Sequence, residues 1–430
     1  MKRLNRRHFL TTGAIGATGL AVACAKPEST ALAPAAASGE LHAAIKALKP
    51  MTDGIVPISD DERRARIAKA QRLMAEQKLD AIFMEGTTSM FYFANMRWGQ
   101  SERTFGLVIP AKGDVAYVCP GFEKDRALEL IKFGNDVRIW EEDESPYKVI
   151  GGIVKDRGMT HHRVGIEERV RFFIADGIRR DNPGLEIAEC VAVTAGCRMF
   201  KTPAEIALMQ RANDVTIAAY KAGIATMREG MPQNELEDNI TAAFTALGFA
   251  GGISVQFGKY TALPHGSATP QKLKEGDVVM IDDGVKCEGY QSDITRTVVF
   301  GKPTQRQRDV WDLEKRAQTA AFDAMKVGAT CESVDAAARK VIIDAGFGPG
   351  YKVPGLPHRT GHGMGLDGHE WTNFVKGNTT KLAPGMCFSD EPMIAIPGEF
   401  GIRLEDDVYI TEDGAKWFSK QSIAIDQPFG

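Results

Sequence analysis

The sequence predicts an α/β domain followed by a larger α+β domain with an internal, pseudo-two-fold repeat. Three observations predict it. Helix-like and strand-like runs alternate from Ile58 to about Ala192, the pattern of a layered α/β unit. Beyond residue 199, two helical pairs follow one plan. The interval from Gly230 to Gly328 equals the interval from Gly248-Phe249 to Gly346-Phe347, a gapless match that marks a true repeat. Each copy then leads into a Gly, an apolar run and a carboxylate: Gly276 to Asp282, and Gly385 to Glu391. The 430 residues fit two or three domains at roughly 100–200 residues each. With 43% apolar and 25% charged residues, disordered, collagen-like and mainly membrane-embedded chains are excluded. A formal charge of −3 gives no general field for nucleic acid, and no basic run follows the leader.

The first residues read as an export signal. Lys2 and Arg3 precede Arg6-Arg7-His8-Phe9-Leu10, then a weakly apolar stretch runs from Thr11 to Ala23. It is too short to span a bilayer as a helix. Basic, apolar and small-residue blocks stand in signal-peptide order, and the paired arginines resemble a twin-arginine signal. Residues 1–23 are thus expected to be removed, with export by the twin-arginine machinery to the periplasm. Ala21-Val22-Ala23 suits ordinary cleavage, and Cys24 offers a lipidation site, the one route to membrane contact. Losing Lys2, Arg3, Arg6 and Arg7 moves the charge to −7. Residues 24–57 open with an Ala/Pro/Ser-rich run and read as a flexible tether.

Within the first domain, residues 58–198, Ser59 and Glu62 form a capping box opening a helix through Gln77. Ala81–Met84 is a short strand. Thr104–Ile109 and Val115–Cys119 flank a turn at Ala111-Lys112-Gly113-Asp114, a hairpin signal. This domain carries no catalytic cluster of its own. The second domain, residues 199–430, opens at Thr202-Pro203-Ala204-Glu205, a cap, a first-position Pro and a reciprocal Glu. Leu208, Ala212, Val215, Ala219 and Ala222 then share one helix face. Gly230 is expected to end that helix and Gly328 its repeat. The six Cys after Cys24 have no ligand spacing and read as buried apolar residues.

The chemistry lies in acids placed where acids are costly. Asp282 ends the apolar run Val278–Ile281, and burying it requires a partner or a cation. Asp293 follows past a turn, so a hairpin brings the two together. Glu391 and Glu405 form a second pair. Close carboxylates repel unless they share a proton or a metal. Between the pairs lies His358-Arg359-Thr360-Gly361-His362-Gly363-Met364-Gly365-Leu366, with His369 beyond. Four carboxylates and a His suit Mn²⁺, Co²⁺ or Zn²⁺, and bridging carboxylates suit a metal pair. Asp283, Asp390, Asp406 and Asp407 are expected to face away, since alternate strand residues do.

The Asp282 strand, Ser292-Asp293-Ile294-Thr295-Arg296-Thr297, the Gly-His-Gly-Met-Gly-Leu run, Glu391-Pro392 and Gly401-Ile402-Arg403-Leu404-Glu405-Asp406 together resemble the M24 metallopeptidase family. That family comprises Xaa-Pro dipeptidases, aminopeptidase P, methionine aminopeptidase and creatinase-like members. The resemblance covers about residues 200–420, and the preceding domain is similar to the creatinase/prolidase N-terminal domain. It implies the pita-bread fold, itself pseudo-two-fold. It implies two divalent ions per subunit, Mn²⁺ first with Co²⁺ or Zn²⁺ as alternatives. Asp282 would hold one ion, Asp293 and Glu405 both, and His362 with Glu391 the other. Glu391 would also move the proton, and His265 and His369 would be catalytic and contact substrate, with His358 and Arg403 in the pocket. A small Xaa-Pro peptide substrate and a homodimer follow from the same resemblance. Arg403, or a partner subunit's Arg97 or Arg103, would receive the product carboxylate.

The sequence departs from the prolidase pattern at Asp283, Trp371 and Met393, and Trp371 is expected to reshape the pocket. Two rival readings follow from the resemblance. One is a non-peptidase hydrolase or lyase acting on a small osmolyte or amide. The other is a catalytically dead binding module, which the complete ligand set disfavours.

Overall fold

The computed structural model describes residues 42–430. The leader, Cys24 and most of the Ala/Pro/Ser-rich run lie outside the described residues.

The expected tether does not extend to residue 57. Helix α1 (Ala43–Lys46) buries Ile45, and Leu48, Met51 and Ile55 also pack on the core. The Met51 amide donates to Leu247 O at 2.9 Å. These apolar side chains give the segment a surface to bury, which a Ser/Ala/Pro linker lacks.

Helix α2 (Asp60–Gln77) begins at the Ser59 cap, whose hydroxyl accepts from the Glu62 amide at 3.1 Å. The reciprocal half of the expected box is not made. Glu62 instead takes Arg66 and the Thr202 hydroxyl, at 2.7 and 2.8 Å. The first domain continues through β1 (Ala81–Glu85), α3 (Thr88–Ala94), β2 (Gly106–Pro110), β3 (Ala116–Pro120) and α4 (Lys124–Leu130). It ends with β4 (Asp136–Trp140), α5 (Pro146–Asp156), β5 (Arg163–Ile166), α6 (Phe172–Asp181), β6 (Glu186–Glu189) and α7 (Val191–Arg198). The strands form one mixed sheet in the order β4-β3-β2-β1-β5-β6, with β1, β2 and β3 antiparallel as the hairpin signal predicts. Successive strand residues face opposite sides. Ile82, Met84, Leu107 and Ile109 therefore join one apolar cluster, and Ala81, Phe83 and Val108 another. Both faces are covered, which is why these runs are apolar throughout.

The second domain begins with α8 (Pro203–Ile224), where Thr202 and Glu205 close a full capping box. It is followed by α9 (Gln233–Leu247), β7 (Ser254–Phe257), β8 (Val278–Asp282), β9 (Lys286–Cys287), β10 (Tyr290–Gln291) and β11 (Arg296–Val299). The second copy has α10 (Gln305–Ala324), capped by Thr304 and Gln307, and α11 (Cys331–Asp344). Then come β12 (Gly361–Gly363), β13 (Glu370–Phe374), β14 (Cys387–Asp390), β15 (Met393–Ile396), β16 (Phe400–Arg403), β17 (Asp406–Thr411) and β18 (Gly414–Trp417).

The repeat is visible bond by bond. Gly230 and Gly328 do not end their helices, which stop at Ile224 and Ala324. Both instead adopt positive φ, 78° and 84°, and each amide donates to the equivalent carbonyl of its own copy, Leu273 O and Leu382 O, at 2.8 Å. In the sheets, β8 lies between β7 and β11, and β14 between β12 and β17. A hairpin interrupts each antiparallel pair: β9–β10 between β8 and β11, and β15–β16 between β14 and β17. The two sheets meet where the Thr295 and Glu405 amides exchange bonds with each other's carbonyls, at 3.2 and 3.3 Å.

The capping boxes differ in one respect that can be tested. The Thr202 hydroxyl also donates to Glu62 of the first domain, whereas Thr304 serves only its own box. Thr304→Ala is expected to cost about 1 kcal/mol and Thr202→Ala roughly 2 kcal/mol. Denaturant unfolding of the two variants side by side checks the order.

Candidate active site

Each half supplies two acids at equivalent places. Asp282 is the last residue of β8 and Glu391 the first after β14. Asp293 lies just before β11 and Glu405 just before β17. The expected simple hairpin is thus split, and neither Asp293 nor Glu405 sits on a strand. Their approach comes from the chain re-entering the sheet after each inserted hairpin.

The four acids and His362 line one cavity of about 660 Å³, with His265, His358, His369 and Arg403. The structure therefore brings together every site residue expected within the second domain. It adds Ser254, Asp283 and Arg359. Asp283 was expected to face away. Its φ of 92° breaks the strand alternation at the end of β8, so two consecutive acids turn to the cavity. Asp390, Asp406 and Asp407 are buried behind the site. Asp406 pairs with Arg296 at 2.7 Å, and Asp407 accepts from the Asp293 amide at 3.0 Å. Trp371 is not among the cavity residues. Its ring lies 5.7 Å from the Arg198 guanidinium.

Three groups of side chains each place three donor atoms within 4.8 Å: Asp282, Asp293 and Glu405; His362, Glu391 and Glu405; and Asp293, His362 and His369. Asp293, His362 and Glu405 each belong to two of them. His362 Nδ1 faces Gly363 O at 3.1 Å, which assigns the proton to Nδ1. Nε2 then turns its lone pair toward Glu391 Oε1 at 3.3 Å and Asp293 Oδ2 at 3.7 Å. Burial, with His369 and Arg359 beside it, holds the ring neutral by lowering its pKa to about 3. Three lone-pair donors facing one another repel unless a cation lies among them. The donor set fits divalent ions on that ground.

The carboxylates report the same crowding. Burial and then Asp282 push Asp293 well above the usual carboxylate range, and burial and then Asp293 do so for Glu405. Burial is also the main cause at Glu391, raised to about 7. Asp282 goes the other way. Burial opposes its charge, but Arg403 and the Thr295 hydroxyl outweigh it and hold its carboxyl low. Thr295 Oγ1 lies 2.6 Å from both Asp282 and Glu405, yet it has one proton and donates to one at a time.

Arg403 is buried, with Nη2 on Asp282, Nε on Thr295 Oγ1 at 2.9 Å and Nη1 on Pro264 O at 3.2 Å. Three of its five N–H groups are thus engaged inside the site, and the side chain still lines the cavity. Arg359 lines the cavity without a carboxylate partner among the described residues, and its one hydrogen-bond neighbour is His369 Nδ1 at 3.1 Å. The signal for it was adjacency to His358 in a run already singled out. His265 and His369 are exposed at the cavity, whereas His358 is turned inward with Nδ1 on Arg359 O at 2.7 Å.

Comparison with known proteins agrees with this geometry. The profile of metallopeptidase family M24 matches residues 207–412, and that of the creatinase/prolidase N-terminal domain matches residues 66–200. An uncharacterized peptidase of Schizosaccharomyces pombe is 37% identical over 84% of this chain and 82% of its own. The chain belongs to the M24 metallopeptidase family. An Xaa-Pro dipeptidase of Lactobacillus delbrueckii is 30% identical over 82% of this chain and 96% of its own. The crystal structure of dipeptidase PepE from Mycobacterium ulcerans superposes with a TM-score of 0.78 at 30% identity, covering 85% and 97% of the two chains. M24 peptidases use divalent metal ions, and the M24 domain here carries a donor set that fits them.

The raised carboxyls set the sign of a pH effect. A group whose folded pKa is raised stabilises the fold below its unfolded value, near 4. That contribution is lost as pH rises through the folded value, about 7 for Glu391. Chelator-treated protein is therefore expected to lose melting temperature between pH 5 and 8. The rise in melting temperature on adding Mn²⁺ should be larger at pH 8 than at pH 5. Melts with and without the ion measure both; a pH-independent rise contradicts the crowding described above.

Proposed function

We propose that the protein is a dinuclear-metal hydrolase that cleaves the amide bond of Xaa-Pro dipeptides or short peptides beginning Xaa-Pro. The carrying observation is the set of three overlapping donor groups, drawn from both halves of the domain, in one open cavity. Asp282, Asp293, His362, Glu391 and Glu405 would hold the ions, with Asp293 and Glu405 shared. Mn²⁺ is the first choice for so many oxygen donors, with Co²⁺ or Zn²⁺ as alternatives. Bound divalent ions supply Lewis acidity, which acidifies water and polarises a carbonyl.

The chain's own residues supply the rest. Glu391 would take a proton from the attacking water and return it to the leaving nitrogen. His265 and His369 are free to orient the substrate and donate to the developing oxyanion. An Xaa-Pro amide has no N–H, and a site that requires no such donor admits the proline ring. Arg359 is the cavity's cation without an acidic partner among the described residues, and it suits the free carboxylate of a dipeptide. Of the partner-subunit arginines named above as alternatives, Arg103 pairs in its own chain with Glu102 and Glu142, whereas Arg97 is exposed, 3.7 Å from the Phe91 ring. The name of the Lactobacillus delbrueckii relative supports the substrate class. The leader supports export by the twin-arginine route to the periplasm, by ordinary cleavage after Ala23 or with acylation of Cys24 as a membrane anchor, and the family resemblance supports a homodimer.

Purified enzyme, stripped and reloaded with Mn²⁺, is expected to hydrolyse Xaa-Pro dipeptides and to lose activity on chelation. Asp293→Asn should lower kcat by at least about 100-fold. Full activity without metal, or turnover confined to small non-peptide amides, overturns the proposal. Arg359→Met should raise KM for dipeptides about tenfold or more, the value of a charged hydrogen bond. KM for tripeptides blocked as amides should change little.

A further inference from the structure

The turn between β12 and β13 carries His369, and the first domain fastens it. Asp367 Oδ1 accepts from the Thr88 hydroxyl at 2.7 Å and from Arg169 at 3.1 Å, and Oδ2 accepts from Arg198 at 2.6 Å. Glu370 is buried and accepts from Arg198 at 2.5 Å and Lys201 at 3.0 Å. Its Oε1 also takes the Asp367 amide at 3.1 Å, closing the turn on itself. Thr88 opens α3 and Arg169 follows β5, while Arg198 ends α7 and Lys201 lies in the connection to α8. Arg198 Nη1 reaches further into the first domain, to Ser89 Oγ at 3.2 Å, and Ser89 in turn donates to Glu167 at 2.8 Å.

His369 stands between these two anchored acids and is itself exposed. Its ring centroid lies 4.0 Å from that of His362. Inside the cavity the ring meets only Arg359, at 3.1 Å from Nδ1, and His362, so where it stands over the cavity also depends on the backbone on either side. That backbone is held by Asp367 two residues before and Glu370 one after. Burying so many charges gains little net stability over an apolar contact. What it gives is direction, because a guanidinium fork accepts carboxylates only in a fixed geometry. Lys201 and Arg198 outweigh the effect of burial and hold Glu370 at about 2, so that carboxylate stays ionised across the working pH range.

We propose that the cluster of Arg198, Asp367 and Glu370, joined by Thr88, is a positioning element for His369, and that docking of the first domain is thereby a condition of catalysis in the second. The inference rests on the role proposed above for His369, and its test separates the two. Kinetics on an Xaa-Pro dipeptide with Mn²⁺ are compared for wild type, Thr88→Val, Arg198→Lys, His369→Ala and the double variant Thr88→Val/His369→Ala. Thr88→Val is nearly isosteric, removes only the hydroxyl, and carries the test if Arg198→Lys does not fold.

Thr88→Val is expected to lower kcat about three- to tenfold with KM within about twofold. In the His369→Ala background the same substitution should do nothing more, the signature of two residues acting through one another. Arg198→Lys keeps the charge but loses the fork, and should fall further than Thr88→Val in kcat. An unchanged kcat in His369→Ala overturns both the role of His369 and this inference. A costly His369→Ala with a silent or additive Thr88→Val overturns the inference alone.

Discussion

Repulsion among Asp282, Asp293, Glu391 and Glu405 is the constraint on which the rest of the second domain depends. Two buried and two half-buried acids in one cavity are tolerated only where counter-charge and hydrogen bonds are fixed in advance. The fold supplies these from behind. Arg403 lies against Asp282, the Thr295 hydroxyl sits between Asp282 and Glu405, and Asp407 holds the Asp293 amide. Asp406 engages Arg296, whose Nη1 donates to Thr295 O and Glu405 O at 3.0 Å. The cavity floor is thus a layered charge structure, with alternating signs behind acids that face the open side.

Backbone architecture sets that layer in register. The sheets of the two halves join through the exchange between Thr295 and Glu405, next to one acid and at another. The apolar strands β8 and β14 leave little freedom for sliding, since a one-residue slip would put their cavity ends on the wrong face. Helices α8 and α10 are both stopped at their N-termini by reciprocal caps, which fixes where each half begins.

Much of this was legible in the sequence because it is periodic or costly. The matched glycines disclosed the doubling, and acids at the ends of apolar runs disclosed the site. What escaped was set by contacts between distant segments. The inserted hairpins β9–β10 and β15–β16 are too short to show a period. Asp283 turned inward through a positive φ that no neighbour-based rule assigns to Asp. The engagement of Arg403 with Asp282 and Thr295 was hidden because these partners come from the other half of the domain. Residues 42–57 read as a tether because the Ala/Pro/Ser composition just before them masked four apolar side chains. No sequence pattern marks Arg198, Asp367 and Glu370 as partners, and only docking of the first domain brings them together.

The doubling of the second domain has a chemical consequence. Asp282 and Asp293 come from one copy, Glu391 and Glu405 from the other. Two acids at the rim of a single copy would be an unremarkable solvated pair, neutralised by water and passing counter-ions. Joining the copies doubles the charge in the same space. Two of the three donor groups take residues from both copies, so much of the need for a cation arises from their union.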